Sequence, residues 1–208
     1  VYPDVKNKKA EVVVSFAGSS AGKFVQVKIK GKSFNSNVIK ELTPVNASVD
    51  CKSSQFNCTL DMGEEMLTWS EFEPNLYQLQ VEIDTEEGKE MRSTTFGMRD
   101  FKVDGTRFSI NGTPVFLRGT LECGIFPLTG YASMDAAYWE KIYRRCKEFG
   151  LNHVRFHSWC PPRVAFEVAD REGIYLQVEA GGWGLVGDGG PADKWFMEES
   201  ERIVKEFG

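Results

Sequence analysis

The stretch Asn152-His-Val-Arg-Phe-His-Ser-Trp-Cys-Pro-Pro162 decides how the second half of the chain is read. It opens as a short apolar strand, Leu151 to Phe156, and closes on a proline pair that starts a helix. Upstream stands Phe108-Ser-Ile-Asn-Gly-Thr-Pro-Val-Phe-Leu-Arg-Gly-Thr120, and downstream Tyr175-Leu-Gln-Val-Glu179. Strand patterns alternating with helical ones predict a parallel sheet. Polar and aromatic residues gather just after each strand, where barrels and open α/β sheets place their ligands.

Between these runs the helical pattern is plain. Ser133 is placed to cap a helix reaching about Phe149, with Gly150 as a left-handed stop. Its apolar stripe is Trp139, Ile142, Tyr143, Cys146 and Phe149, which assigns Cys146 to core packing. The next helix carries Val164, Phe166, Val168 and Ala169 and ends at Gly173; Ile174 to Val178 is then a third strand. A glycine-rich loop from Gly181 to Gly190 leads to a helix at 192–207 with Phe196, Ile203, Val204 and Phe207 inward. Lys147-Glu-Phe-Gly150 and Lys205-Glu-Phe-Gly208 close two helices in the same way, an aromatic packing the last turn. The first passes directly into a strand. The second ends the sequence, which suggests truncation at a helix-to-strand junction.

Residues 10 to 97 follow a different pattern. Glu11–Phe16, Phe24–Ile29, Phe56–Leu60, Leu76–Ile83 and Met91–Phe96 alternate apolar and polar, with a weaker strand at Val38–Leu42. Short strands separated by turn signals predict an antiparallel immunoglobulin-like sandwich. Asn111-Gly112 between Phe108-Ser-Ile and Val115-Phe-Leu predicts a hairpin turn. The N-x-[ST] triplets at Asn46 and Asn57 are read as chance, though they fit glycan acceptors in a eukaryotic secreted protein.

Composition narrows the function classes. A net charge of -5 gives no footprint for nucleic acid, and no apolar run approaches the ~18 residues of a membrane span. The sequence opens at Val1 without a signal peptide and reads as a processed or excised piece. Localisation is left open, with periplasmic or extracellular ahead of cytoplasmic. Five cysteines make no disulfide framework. Cys51 and Cys58 could close a small loop in an oxidising compartment, or Cys58 could simply alternate inward with Phe56 and Leu60. Cys123 and Cys160 follow strands, and no spacing suggests zinc.

Trp69-Ser-Glu-Phe-Glu-Pro-Asn-Leu-Tyr77, Phe96-Gly-Met-Arg99, Ile110-Asn-Gly112, Leu117-Arg-Gly119, Asn152-His-Val-Arg155, Ala169-Asp170, Gly173-Ile174 and Glu179 occur in a telling order. Together they resemble glycoside hydrolase family 2, the family of β-galactosidase, β-glucuronidase and β-mannosidase. The resemblance implies a multi-domain architecture of jelly roll, immunoglobulin-like sandwich and catalytic (β/α)8 TIM barrel. This chain would hold the sandwich at 1–97 and, at 98–208, an incomplete barrel of about three strand–helix units. It also implies retaining hydrolysis by two glutamates ~5–5.5 Å apart, an acid/base after an Asn on the fourth barrel strand and a nucleophile on the seventh. No residue here matches either motif. No catalytic residue is therefore assigned, and the chain alone is expected to be inactive.

The resemblance places Arg155 beneath the catalytic carboxylates; the alternative is a structural ion pair. Family members often carry His three residues after this Arg, where Ser158 stands here. Strand alternation sends His157 to the side of Arg155, favouring it as the substrate-facing substitute, against a satisfied barrel-layer histidine. His153 is expected to face the other way, beneath a helix. Trp159 and Trp183, in loops after strands, could stack on sugar rings or pack structurally, and Phe126-Pro127 and Tyr131 could line the mouth. The loop Leu121–Gly130 lacks the histidines of the β-galactosidase branch, so neither its substrate contacts nor a metal site is carried over. Glu122 and Glu179 are not expected to form a site together; Glu179 is expected to pair with Arg155 or a neighbouring strand's group. Asp170 is assigned to fixing the turn that follows it.

The function expected is part of a glycosidase acting on a carbohydrate, with no cofactor, metal, nucleic acid or membrane. The alternatives are a non-catalytic carbohydrate-binding or scaffolding module and a purely structural one. Unclosed parallel strands would favour a homodimer through the barrel portion.

Overall fold

The computed structural model describes residues 1–16, 24–50, 55–85, 88–181 and 187–208. Its contacts divide the chain into two compact units, Val1–Val115 and Phe116–Gly208.

The first unit is all β. Strands β1 (Tyr2–Asp4), β2 (Lys9–Ser15) and β5 (Gln55–Asp61) form one antiparallel sheet. Strands β4 (Val45–Asp50), β3 (Phe24–Phe34), β6 (Leu76–Thr85) and β7 (Gly88–Phe96) form a second, in that order. Alternation supplies the core. Val25, Val27 and Ile29 of β3 and Leu79 and Val81 of β6 meet Ala10, Val12 and Leu60 of the other sheet, all buried. Cys58 packs inward beside Phe56 and Leu60, whereas Cys51 lies outside the described residues.

Three details differ from the alternation pattern. Strand β3 does not stop at Ile29 but runs on to Phe34. Gly31 lies inside the sheet because a Cβ there would meet Leu79 Cδ2 at 2.5 Å and Leu42 Cδ1 at 2.7 Å. Val38–Leu42 is no strand: it contributes one bridge, Lys32 to Glu41, and Val38 and Ile39 are exposed. The strand beside β3 is instead Val45–Asp50, in which Val45, Ala47 and Val49 alternate inward with Asn46, Ser48 and Asp50.

A third antiparallel sheet holds β8 (Phe101–Asp104), β9 (Arg107–Ile110) and β10 (Thr113–Val115). Its Asn111-Gly112 turn has positive φ at both residues, 50° and 82°, as a tight hairpin requires. The Asn111 side chain accepts from Asp100 N at 2.9 Å and donates to Trp69 O at 3.0 Å, so it is a structural clamp.

The second unit alternates β11 (Gly119–Glu122), α1 (Ala136–Glu148), β12 (His153–Phe156), α2 (Arg163–Glu172), β13 (Tyr175–Val178) and α3 (Pro191–Phe207). The three strands form a parallel sheet in sequence order. Buried Asn152 fastens its lower edge, accepting from Arg118 N at 2.7 Å and donating to Phe116 O at 3.0 Å. Val154 and Phe156 turn to one face and pack against Trp139, Tyr143 and Cys146 of α1 and Ala165, Val168 and Ala169 of α2. Gly150 and Gly173 supply the left-handed stops, at φ 73° and 70°.

Helix ends carry the corrections here. The α1 cap is Asp135, whose carboxylate accepts from Ala137 N at 3.1 Å; Ser133 stands two residues outside, its hydroxyl accepting from Asp135 N. Phe149 does not pack the last turn of α1, being 76% exposed. Phe207 does pack its own, stacked on Phe166 with centroids 3.8 Å apart. No residue of α3 is buried, and Val204, expected inward, is exposed.

Candidate functional site

Register sorts the side chains of the parallel sheet onto two faces. Leu121 pairs with Arg155 and Arg155 with Gln177; Glu122 pairs with Phe156 and Phe156 with Val178. Paired residues of parallel strands share a face. The face of Phe156 belongs to the helices, and the face of Arg155 carries Leu121, half-buried His153 and Tyr175, and exposed Gln177.

At the C-terminal end of that second face the polar groups converge on Glu179. Arg155 Nε donates to Glu179 Oε1 at 2.6 Å, and Arg155 Nη2 lies 2.5 Å from the same oxygen. The other oxygen, Oε2, accepts from Ser158 N at 2.6 Å and from Ser158 Oγ at 3.3 Å. His157 Nδ1 stands 3.5 Å from Oε2. The Arg155 hydrogen bonds first, and then the Ser158 backbone N–H, hold the Glu179 carboxyl below the usual carboxylate range against the opposing effect of burial. Glu179 is thus a fixed anion, poorly suited to carrying a proton.

Ser158 was visible in the sequence only as a departure from a family pattern. In the structure it has φ 61°, a left-handed conformation rare for a residue with a side chain, and this aims its N–H at Glu179. His153 corrects another expectation. Lying two residues before Arg155, it shares that face instead of opposing it, and its imidazole fills the space where Gly119 lacks a Cβ. Burial lowers its pKa.

Trp159 turns toward the helix-side core. Its ring meets Phe156 edge-on at 5.3 Å and Phe126 at 5.7 Å. Its indole Nε1 is buried without a hydrogen bond among the described residues. Trp183 lies outside the described residues. Glu122 sits on the helix-side face and accepts from Gly124 N at 2.9 Å, so the sheet separates it from Glu179. Among the described residues no three His, Cys, Asp or Glu side chains gather as a metal site.

Known proteins place this architecture. A β-galactosidase of Oenococcus oeni is 26% identical over 174 residues, 75% of this chain and 17% of that protein. A β-galactosidase of Thermoanaerobacter pseudethanolicus is 35% identical over 127 residues, 59% of this chain and 17% of that protein. Residues 1–99 match the model of glycosyl hydrolases family 2. Over those residues the chain resembles glycosyl hydrolases family 2.

The chain spans 17% of the length of both of those relatives. Its fold is also found in solved structures. A β-glucuronidase of Parabacteroides merdae superposes with a TM-score of 0.75 at 18% identity, covering 99% of this chain and 25% of that one. A β-galacturonidase of Eisenbergiella tayi, bound to galacturonate, gives 0.70 at 14% identity, covering 99% of this chain and 36% of that one.

Proposed function

We propose that the chain is part of a retaining glycosidase, in which residues 116–208 begin a (β/α)8 barrel and both reactive glutamates lie outside residues 1–208. The observation that carries this reading is the two-faced parallel sheet. Helices cover the Val154–Phe156 face, while the other presents the Arg155–Glu179 pair at its C-terminal end. A barrel strand has that character, with helices outside, packed layers inside and the reactive mouth at the C-terminal ends. The match of residues 1–99 to the family 2 model supports it from the other half of the chain.

In this reading Arg155, His157 and Glu179 form part of the mouth, while Trp159 packs on the helix side against Phe156 and Phe126. The Arg155 cation, oriented by Glu179, favours the ionised form of carboxylates brought close to it. Glu179 orients the arginine and does not attack. Retaining hydrolysis needs two carboxyl groups ~5–5.5 Å apart across the scissile bond, and Glu122 and Glu179 occupy opposite faces of the sheet. The substrate class is a glycoside or oligosaccharide. Alone, the 208-residue chain exposes unclosed strand edges and an uncovered sheet face, which favour self-association.

A panel of aryl glycosides, run on the full-length parent beside this chain, tests the proposal. The parent should cleave at least one glycoside with retention of anomeric configuration, and the chain alone none. Cleavage by the chain alone would overturn it, as would an inverting parent.

A further inference from the structure

A groove of about 610 Å³ opens in the first unit, far in sequence from Arg155 and Glu179. One wall is the bend after β3, with Asn35 and Asn37; the other is the turn before β6, with Phe72, Glu73, Pro74 and Asn75. We propose that this groove is a second carbohydrate site, a non-catalytic cleft for a neutral sugar, independent of the barrel reading above.

The walls are built and tied together. Asn35, at φ 55°, donates from Nδ2 to Pro74 O at 2.8 Å and so links one wall to the other. Ser70 N donates to Glu73 O at 2.9 Å while its hydroxyl accepts from Glu73 N at 3.1 Å, which closes a tight turn. Asn75 Nδ2 anchors the exit of that turn on Thr68 O at 3.0 Å. At its tip Phe72 is held 83% exposed. With Val38, which also lines the groove and is exposed, Phe72 gives it an apolar surface.

The polar groups decide which ligand. The side chains of Asn37 and Glu73 line the groove with Phe72 and have no hydrogen bond among the described residues. An amide offers both donor and acceptor, a carboxylate accepts, and together they match vicinal hydroxyls. The ring offers a face to the C–H side of a pyranose. The groove holds a carboxylate and no Lys or Arg, which disfavours an acidic sugar or a phosphate. A few polar groups around an apolar platform is the usual design of a small-ligand site.

The test is titration of the isotopically labelled 208-residue chain with lactose, cellobiose and β-1,4-mannobiose, each to about 20 mM, read as backbone amide shifts. At least one sugar should give saturable shifts at residues 35–38 and 70–75. Phe72→Ala, at an exposed position, should weaken that binding about two- to tenfold, and Asn37→Ala should weaken it as well. Arg155→Met should leave it unchanged. No saturable shift at these residues with any of the three sugars would overturn the proposal. Binding that Phe72→Ala leaves intact would overturn it too, and neither result would touch the barrel reading.

Discussion

Arg155 and Glu179 are joined through a single carboxylate oxygen at 2.5–2.6 Å, while the backbone of Ser158 holds the other oxygen at 2.6 Å. The carboxyl is therefore acidified in the folded state relative to an unfolded Glu at about 4.3. A depressed folded pKa stabilises fully above the unfolded value, and the contribution is lost as pH falls through the folded one. The chain should thus melt higher than Glu179→Gln at pH 7, with the gap narrowing below pH 4 and closing at still lower pH. Melting temperatures of both proteins from pH 7 to pH 2 check this. A gap that does not change with pH would mean that the ionised pair is not its source.

Gly97 is needed for space, not for backbone freedom. A Cβ there would come within 2.9 Å of Trp69 Cβ and 3.1 Å of Trp69 Cγ, and Trp69 is 2% exposed. These atoms sit at the root of the side chain, so no rotamer change relieves the overlap. Gly97→Ala should destabilise the first unit by about 1–3 kcal/mol, the usual cost of overpacking. Urea denaturation followed by tryptophan fluorescence measures it, and a neutral substitution would show that the Trp69 backbone yields.

Much of this molecule was legible in its residues, wherever one period dominated. Val25, Val27 and Ile29 announced β3, and the stripe Trp139, Tyr143, Cys146 announced the buried side of α1. The pairing of Glu179 with Arg155 was also foreseen, because a carboxylate and a guanidinium at neighbouring strand ends have few other partners. What failed was what periodicity encodes weakly or not at all. Strand β4 was missed although Val45, Ala47 and Val49 alternate inward, because a face of three small residues is a weak signal. Ser133 and Asp135 are both good caps, and only backbone geometry chose Asp135. The two Lys-Glu-Phe-Gly endings look alike, yet Phe207 has Phe166 to stack on and Phe149 stays exposed. The error at His153 was one of parity: the alternation that groups Arg155 with His157 includes it as well.

Tyr143 is fully buried, and its hydroxyl has no hydrogen bond among the described residues. Burial pushes its phenol up, the more so with Cys146, Glu122 and Asp170 nearby. Removing a buried donor that makes no bond forfeits nothing and relieves its desolvation. Tyr143→Phe should therefore be neutral or stabilising by up to about 1 kcal/mol, whereas Phe156→Ala in the same cluster should cost about 3–5 kcal/mol. Urea denaturation of the two variants decides it. A loss above about 1 kcal/mol for Tyr143→Phe would reveal a bridging water or another partner of the hydroxyl.

The cysteines offer a readout of the second unit's packing without touching its charges. Cys123 is exposed, Cys160 half-buried and Cys146 buried, lying 7% exposed against Val154 and Tyr143. The thiolate is the reacting species, and burial raises the pKa of both Cys146 and Cys160. In a Cys51→Ser background at pH 8, a disulfide reagent should modify Cys123 first and Cys160 more slowly. Cys146 should react on the order of a hundredfold slower still, through opening of the α1–α2 cluster. Peptide mass spectrometry over the reaction assigns each site. If Cys146 reacted together with Cys123, the helices would not be holding the Val154–Phe156 face closed, and the two-faced sheet on which the barrel proposal depends would fall with it.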